Sequence, residues 1–333
     1  MVPLLQVEDL RTYYFTSHGV VKAVDDVSFL VDRGETVGIV GESGSGKSTT
    51  ALSILRLVPH PGRIVSGRIL LAQHGPRQDV AQMSEEEVRE LRGGDVAMIF
   101  QDPMKSLNPV LRVGYQIREA MAAHRRFSGR QAENRVVPML RKVRIAAARQ
   151  RVEHFPHQFS GGMRQRLMIA MGLSNEPSLL VADEPTTALD VTVQAQIIEL
   201  LRELNSELGT AIVLITHNLA VVASLCTRVI VMYAGRVVEE GPTRQVLKAP
   251  QHPYTWSLLR SLPRLDGPRG AQLTSIGGAP PDLGHLPSGC RFHPRCRFRT
   301  ERCLVEEPPL ETVADGQLAR CWQPIRATLG EQG

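Results

Sequence analysis

Long hydrophobic runs are missing from this chain of 333 residues. Its apolar stretches, such as residues 96–100 and 179–182, are short, whereas a membrane-spanning helix needs roughly 18 or more apolar residues in a row. The N-terminus also lacks the charged segment and cleavage site that are typical of a secretory signal peptide. We therefore expect the chain to remain in the cytoplasm, and any role at a membrane to depend on partner subunits.

Lysine is scarce, and charge is not concentrated in any segment. The chain has 39 Lys and Arg residues, of which only five are Lys, and its formal net charge is +5. A basic balance can indicate nucleic-acid binding. Because the cations are spread along the chain without a run, a bias in codon usage explains them at least as well. We expect no nucleic-acid partner.

Cysteine is also scarce, with five residues, and four of them lie in the last part of the chain. Residues 263–333 are rich in Pro and Gly and poor in aliphatic clusters, a composition that is also compatible with disorder. The concentration of Cys in this segment indicates that something holds it together. The fifth residue, Cys226, lies at a predicted transition from helix to strand and is expected to be buried in the core.

Patterns in the N-terminal half predict strands followed by helices. The first 35 residues alternate apolar and polar positions, with a turn near residues 17–19, which is typical of antiparallel strands. Ser84 followed by Glu87 forms a capping box and predicts the start of a helix. Residues 109–155 have helical periodicity, so this region is predicted to be mainly helical.

Alternation of strands and helices from residue 179 to about residue 241 predicts a parallel sheet. The predicted fold class is therefore α/β, with a mixed or parallel core sheet, an antiparallel β subdomain and a helical subdomain at about residues 103–172. We expect one nucleotide-binding domain at residues 1–250. A small C-terminal extension that contains the four Cys residues is expected at residues 251–333, beginning with a short helix at 255–262.

A phosphate-binding loop follows the apolar strand predicted at residues 36–40. The segment 41–48 fits the pattern G-x-x-x-x-G-K-[ST] and opens a helix near Lys47. Glycines let the backbone amides surround phosphate oxygens, and the helix N-terminus adds a positive dipole end. Lys47 is predicted to reach the β- and γ-phosphates, Ser48 to ligate Mg²⁺ and Thr49 to lie beside the α-phosphate. The predicted nucleotide contacts are Gly41, Ser43, Gly44, Ser45, Gly46, Lys47, Ser48 and Thr49.

Two carboxylates follow the apolar run at 179–182. Because ligands of open α/β sheets bind at the carboxyl ends of strands, Asp183 is predicted to complete the Mg²⁺ shell, and Glu184 to polarise the attacking water. Taken alone, Asp-Glu at a strand end could equally be a solvated turn. The phosphate loop upstream favours the catalytic interpretation.

Further motifs, in a fixed order, resemble those of the ATP-binding cassette (ABC) family. They are Gln101 in Phe-Gln-Asp-Pro, the segment 159–166 (Phe-Ser-Gly-Gly-Met-Arg-Gln-Arg), the segment 177–185 that ends in Asp-Glu-Pro, Asp190 in Ala-Leu-Asp, and His217 in Ile-Thr-His-Asn.

The resemblance implies a second half-site. In ABC proteins two cassettes pack head to tail, so that Ser160, Gly161 and Gly162 would contact the γ-phosphate that is held by the partner cassette. His217 resembles the switch histidine at the γ-phosphate, and Gln101 the glutamine that senses Mg²⁺ and water.

The same resemblance assigns three more residues. Asp190 lies where the family has its D-loop, and Tyr14 lies where the family places an aromatic ring on the adenine, although Tyr13 and Phe15 flank it. Gln165 comes two positions later than the family's usual glutamine, which puts its expected contact with the partner's ribose in doubt.

Segments 101–109, 159–171, 252–255 and 287–296 resemble the ATPases of oligopeptide and dipeptide importers. This resemblance implies an ATP-hydrolysing subunit that powers peptide uptake at the cytoplasmic face of the inner membrane. The implied partners are a second cassette, expected to be a paralogue, two transmembrane permeases and a substrate-binding protein. The alternative is an ABC ATPase that acts on nucleic acid or ribosomes, but those proteins have tandem cassettes or a long coiled coil, which this chain lacks.

Spacings of the four tail cysteines do not match the close pairs of common zinc sites. Disulfides are disfavoured in a cytoplasmic chain, and four thiolates can hold an iron–sulfur cluster. The family resemblance implies a [4Fe–4S] cluster in at least some importers of this group, whereas zinc or free thiols remain open alternatives. The candidate ligands are Cys290, Cys296, Cys303 and Cys321.

Overall fold

Strands and helices follow one another through the residues that a computed structural model describes, namely 2–72, 77–124, 127, 129–187, 189–261 and 276–325. The strands are β1 (Leu5–Thr16), β2 (Gly19–Val31), β3 (Thr36–Val40), β4 (Gly62–Leu71), β5 (Gln78–Asp79), β6 (Val96–Ile99), β7 (Leu179–Asp183), β8 (Ala211–Thr216), β9 (Arg228–Tyr233), β10 (Arg236–Pro242), β11 (Glu311–Ala314) and β12 (Gln317–Ala319). The α-helices are α1 (Lys47–Ile54), α2 (Glu85–Leu91), α3 (Pro103–Ser106), α4 (Val113–Ala123), α5 (Arg130–Lys142), α6 (Ala148–Arg151), α7 (Gly161–Gly172), α8 (Val191–Leu208), α9 (Leu219–Leu225), α10 (Thr243–Lys248), α11 (Pro253–Arg260) and α12 (Glu301–Val305).

The chain divides into two units, each built from separate stretches of sequence. The first unit contains Met1–Leu5, Leu30–Thr36 and Leu70–Ile215. The second unit contains Gln6–Phe29, Val37–Ile69 and Thr216–Gly333. No helix in the described ranges is both long and apolar enough to cross a membrane.

A buried parallel sheet organises the first unit. In it β7 pairs with both β6 and β8, with Val181 opposite Met98 on one side and opposite Val213 on the other. All residues of β7 are buried, as expected for a parallel strand that is covered on both faces. The carboxyl end of β7 is therefore the point at which Asp183 leaves the core.

Helices α3 to α7 occupy residues 103–172 of the first unit. Val113, Ile117 and Met121 form the buried stripe of α4, at the helical spacing that the sequence pattern predicts. Helix α4 contacts α5 and α7, and α7 contacts α8. The capping box of α2 is formed as predicted, with Ser84 and Glu87 bonding to each other's backbone amides.

The second unit contains an antiparallel sheet with the strand order β2–β1–β4, as expected for the first third of the chain. It also contains β3, which pairs in parallel with β9. The predicted strand–helix alternation ends earlier than expected, because β9 and β10 form an antiparallel hairpin. The cause is the two-residue turn Ala234–Gly235, where both residues have positive φ, of 47° and 80°, as in a tight hairpin turn.

The C-terminal extension joins the second unit through strand pairing. β12 pairs antiparallel with β10, with Ala319 opposite Glu239, and β11 pairs with β12. Helix α11 begins earlier than the predicted residue 255, because Pro253 occupies its first turn and the His252 imidazole caps it. The predicted end of this helix at residue 262 lies outside the described residues, and the predicted domain boundary at 250 remains a prediction.

Candidate nucleotide-binding and catalytic site

The phosphate loop of the second unit connects β3 to α1. A side chain at Gly41 would place its Cβ atom 2.2 Å from the Met232 carbonyl oxygen, and one at Gly46 would place it 2.3 Å from the Ala23 carbonyl oxygen. Both glycines also have positive φ. Only glycine fits these two positions, so the loop can lie close against the neighbouring backbone.

Lys47 is buried at the start of α1, with 6% of its surface exposed. Its Nζ donates hydrogen bonds to the carbonyl oxygens of Gly41 at 2.8 Å and Glu42 at 2.9 Å, and lies 3.4 Å from the Ser45 Oγ. The ammonium group is thus held by the backbone of the loop. Its contact with phosphate oxygens stays the prediction of the motif. Ser43, Gly44, Ser48 and Thr49 lie on the same loop and helix start.

Three aromatic residues near the end of β1 have different environments. The Tyr13 hydroxyl donates to Asp25 at 2.7 Å, and the Arg63 guanidinium lies over the Phe15 ring at 4.2 Å from its centroid. Tyr14 is half-buried and lies against Gly62. Tyr14 therefore stays the predicted adenine contact, because the other two rings have protein partners. His217, also in the second unit, is exposed directly after β8.

The side chain of Glu184, a catalytic candidate in the first unit, is held by two hydrogen bonds. One of its carboxylate oxygens, Oε2, accepts hydrogen bonds from the Gln101 side-chain amide at 3.0 Å and from the Thr187 hydroxyl at 2.8 Å. Its backbone N–H donates to the Ile215 carbonyl at 2.8 Å. The structure thus brings together two residues that the sequence predicts, Glu184 and Gln101.

Backbone conformation also distinguishes Glu184, which has a positive φ of 47°. Such a conformation is costly for a residue with a Cβ atom, and it is typical of functional sites. Asp183, one residue earlier, is 8% exposed at the end of β7. Thr187 was not predicted from the sequence; a hydroxyl three residues after the Glu, in a turn, is the signal that could have identified it.

Ser160, Gly161 and Gly162 begin helix α7. Ser160 is the N-cap residue, but its hydroxyl makes no capping hydrogen bond, and the residue is exposed. A Cβ atom at Gly161 would meet only Leu189 Cδ2, at 3.7 Å, whereas one at Gly162 would lie 2.5 Å from Val193 Cγ1. The exposed Ser160 and Gly161 are suited to contact a partner, and Gly162 is required for the packing of α7 on α8.

Gln165 lies on the buried face of α7. It is 2% exposed, and among the described residues its Nε2 has no hydrogen-bond partner. Its contact with the ATP of a partner stays a prediction, which this burial does not favour. Asp190 is exposed and caps α8 through a 2.9 Å bond from the Val193 N–H.

The four tail cysteines lie in the extension of the second unit as free thiols. Burial, together with the nearby Glu307 carboxylate and the Cys303 and Cys321 thiols, raises the pKa of Cys290 to about 12. Burial, together with the nearby Cys296 and Cys303 thiols, likewise raises the pKa of Cys321 to about 12. The Cys290 N–H donates to the Cys303 carbonyl at 2.9 Å, so these two residues are neighbours in space.

A preformed metal site does not accompany this clustering. Within the described part of the chain, no group of three or more His, Cys, Asp or Glu side chains is arranged to hold a metal ion. The four predicted Cys ligands lie in the same C-terminal extension, but their side chains are not arranged as a metal site. The fifth cysteine, Cys226, is buried as predicted, and burial raises its pKa to about 12.

Comparisons with known proteins agree with these features. Residues 24–187 match the ABC transporter family, and residues 238–303 match the family described as the oligopeptide/dipeptide transporter C-terminal region. The oligopeptide transport ATP-binding protein OppD of Salmonella typhimurium is 49% identical over 326 residues, covering 98% of this chain and 95% of that protein. OppD of Bacillus subtilis is 47% identical over 320 residues, covering 96% of this chain and 88% of that protein.

Solved structures show the same fold. The dimeric structure of MJ0796, a bacterial ABC transporter cassette, is 28% identical with a TM-score of 0.63, covering 72% of this chain and 99% of that one. The same cassette in a post-hydrolysis state bound to ADP and Pi has a TM-score of 0.64. The predicted α/β cassette fold is thus confirmed, and the chain belongs to the ABC transporter family, as an ATPase that carries the oligopeptide/dipeptide transporter C-terminal region.

Proposed function

We propose that this chain is the ATP-hydrolysing subunit of a membrane importer for di- or oligopeptides. The observation that carries this proposal is the C-terminal region at residues 238–303, which matches a family described by that cargo. Similarity over almost the whole chain to proteins named for oligopeptide transport supports it further.

Binding of MgATP is assigned to the residues that the motifs predict. The loop amides and Lys47 neutralise the phosphate charge, and Tyr14 stacks on the adenine. The Ser48 hydroxyl and the Asp183 carboxylate are oxygen donors of the kind that Mg²⁺ prefers. The amide nitrogen of Gln101 bonds to Glu184, so the amide oxygen remains suited to the metal or the attacking water.

Hydrolysis is assigned to Glu184. The bonds from Gln101 and Thr187 fix the orientation of its carboxylate, which can then accept the proton of a water that attacks the γ-phosphorus. The bond from the γ-phosphorus to the bridging oxygen breaks, and ADP leaves with that oxygen. Positioning and charge neutralisation supply most of the rate in such reactions.

A second cassette would complete each ATP site. Ser160, Gly161 and Gly162 at the start of α7 present a hydroxyl, backbone amides and a helix dipole end, which together can bind the γ-phosphate on a partner. His217 and the D-loop residue Asp190 are assigned to the same interface. The dimeric structure of the related cassette supports this arrangement.

The remaining assembly is assigned from the family resemblance of the sequence motifs. Two permeases would anchor the cassettes peripherally at the cytoplasmic face of the inner membrane, and a substrate-binding protein would deliver the peptide. The chain should be assayed in membrane vesicles together with permease subunits and a substrate-binding protein of an oligopeptide importer. Peptide-dependent ATP hydrolysis and peptide uptake are expected, with free amino acids and sugars as control cargoes. Hydrolysis that responds to nucleic acid or ribosomes, and not to peptide, would favour the alternative class.

An iron–sulfur cluster on the four tail cysteines is the finer part of the proposal. Its support is the donor set, because four Cys thiols within one short extension are the kind of ligand that a [4Fe–4S] cluster takes. When bound, the cluster would link distant parts of the extension. We expect protein purified without oxygen to be brown and to contain iron and sulfide.

Substitution of a ligand tests the cluster directly. Cys296→Ser should remove the colour and make the extension sensitive to protease. Cys226→Ser, which removes a buried thiol outside the extension, should leave both the colour and the protease resistance unchanged. Colourless wild-type protein that contains zinc, or no metal, would contradict the cluster and leave the ATPase assignment intact.

A further inference from the structure

Glu42, the second residue of the phosphate loop, is held from three sides. Its backbone N–H donates to the Tyr254 hydroxyl at 2.7 Å. Its carboxylate accepts two hydrogen bonds from Arg295, at 2.7 Å and 3.0 Å. Its carbonyl oxygen accepts from Lys47 Nζ at 2.9 Å. Two of these three partners belong to the C-terminal part of the chain.

The contact between Arg295 and Glu42 is shielded from solvent. The Arg295 side chain is 4% exposed and the Glu42 side chain 26%. A two-pronged guanidinium–carboxylate contact is stronger and more directional than a single ion pair. Burial alone would lower the pKa of Arg295, but the hydrogen bonds with Glu42 and Tyr233 outweigh burial and raise it. The arginine therefore stays charged.

The elements that carry Arg295 and Tyr254 are firmly packed. Tyr254 is fully buried, and its ring lies 4.6 Å from that of Tyr233 and 5.5 Å from that of Phe292. Phe292 lies three residues before Arg295, and the Arg295 Nε also donates to the Gly277 carbonyl at 2.9 Å. The guanidinium and the phenol that contact the loop are thus both held by buried packing within the C-terminal part of the chain.

Electrostatics give this contact a consequence for nucleotide binding. An uncompensated carboxylate at the second position of the loop would repel the phosphates of ATP. Arg295 cancels that charge and orients the Glu42 side chain. The backbone of the same residue is held by Tyr254 and Lys47. Loss of Arg295 would leave a partly buried carboxylate beside the phosphate site without its partner.

We propose that Arg295 is a positioning residue for ATP binding, which acts through Glu42 to hold the phosphate loop and to neutralise its acidic residue. The C-terminal extension is on this view a part of the ATP site. The proposal does not depend on which cargo is transported or on whether the cysteines bind a cluster, since it concerns only the affinity of this chain for MgATP.

Four variants of the full chain test the proposal: R295A, R295K, E42Q and the double variant R295A/E42Q. The Kd for MgATP should be measured by calorimetry, and KM and kcat in the complex with the permeases. R295A should weaken MgATP binding by about tenfold and raise KM more than it lowers kcat. R295K should lie between R295A and wild type, because lysine keeps the charge and loses the two-pronged contact.

The double variant separates an electrostatic role from simple scaffolding. E42Q removes the carboxylate that R295A leaves exposed, so R295A/E42Q should regain most of the lost affinity. R302A is the matched control, because Arg302 lies in the same extension and pairs with the exposed Glu306; its Kd should equal that of wild type.

Two results would overturn the proposal. One is an affinity of R295A within about twofold of wild type. The other is a loss in R295A that E42Q does not reverse. If R295A fails to fold, R295K decides the matter, since R295K must then bind MgATP more weakly than wild type while its thermal unfolding is unchanged.

Discussion

At the scale of single residues, Glu184 combines strain with a fixed orientation. Its positive φ and the two hydrogen bonds on Oε2 hold the carboxylate in one direction at the end of β7. Glutamine has nearly the same shape and can accept the same two bonds, but it cannot take a proton from water. The substitution therefore separates the chemical role of this residue from its structural one.

Glu184→Gln should abolish steady-state ATP hydrolysis, with a loss on the order of 10²–10⁴-fold, as expected for a general base. MgATP affinity, measured by calorimetry, should stay unchanged because the loop and Asp183 are intact. Glu203→Gln is a suitable control, since that exposed carboxylate on α8 pairs only with Arg144 among the contacts described. Turnover within a few-fold of wild type would exclude Glu184 as the base.

At the scale of helices and strands, patterns between sequence neighbours predicted the structure well. Contacts between residues that are far apart in sequence could not be predicted from them. The capping box of α2 and the strand–loop–helix of residues 36–48 depend on neighbours in sequence, and both are confirmed. The Arg295–Glu42 contact joins residues 253 positions apart, so no pattern could indicate it. Burial of Gln165 depends on which side of α7 faces the core, and the motif alone does not give this.

Helix α11 provides a pH-dependent element. Its cap, His252, is 1% exposed, and its Nδ1 accepts a hydrogen bond from the Tyr254 N–H at 3.0 Å. Burial lowers the pKa of His252 to about 3, and the backbone and charge of Arg320 act on it with opposite signs. Glu239 lies close by and accepts from the His252 N–H at 2.9 Å.

Below pH 6.5, the ordinary pKa of histidine, the unfolded chain binds a proton at His252 and the folded chain does not. The free energy of unfolding is therefore not reduced by this group above that pH. The free energy of unfolding should fall as the pH drops from 6.5 toward the pKa of about 3 that His252 has in the folded chain. The fall is up to about 1.4 kcal/mol per pH unit. His252→Asn keeps an N-cap acceptor and does not titrate.

Urea unfolding at pH 7.5 and at pH 5.5 should therefore show a larger loss for wild type than for His252→Asn. The exposed His285 serves as the control position, and His285→Asn should behave as wild type. Equal pH dependence in wild type and His252→Asn would show that this histidine is not buried in its neutral form.

At the scale of the whole molecule, the proposed function gives one chain two halves of different ATP sites. The phosphate loop is proposed to bind this chain's own nucleotide, and the start of α7 to contact the nucleotide of a partner. The two glycines at the start of α7 differ in their surroundings. Gly162 packs against Val193, whereas Gly161 is exposed and has room for a side chain.

Gly161→Asp should place a carboxylate against the γ-phosphate held by the partner cassette. Since a Cβ atom at Gly161 has only an ordinary contact with Leu189, the variant should fold normally and bind MgATP at its own loop as wild type does. Peptide uptake and nucleotide-dependent dimerisation should both be strongly reduced. Gly161→Ala adds the Cβ atom without the charge, and it should retain most of the uptake if repulsion is the cause. Wild-type uptake by Gly161→Asp would contradict the head-to-tail pairing, and an equal loss in both variants would assign the effect to bulk at the interface instead of charge.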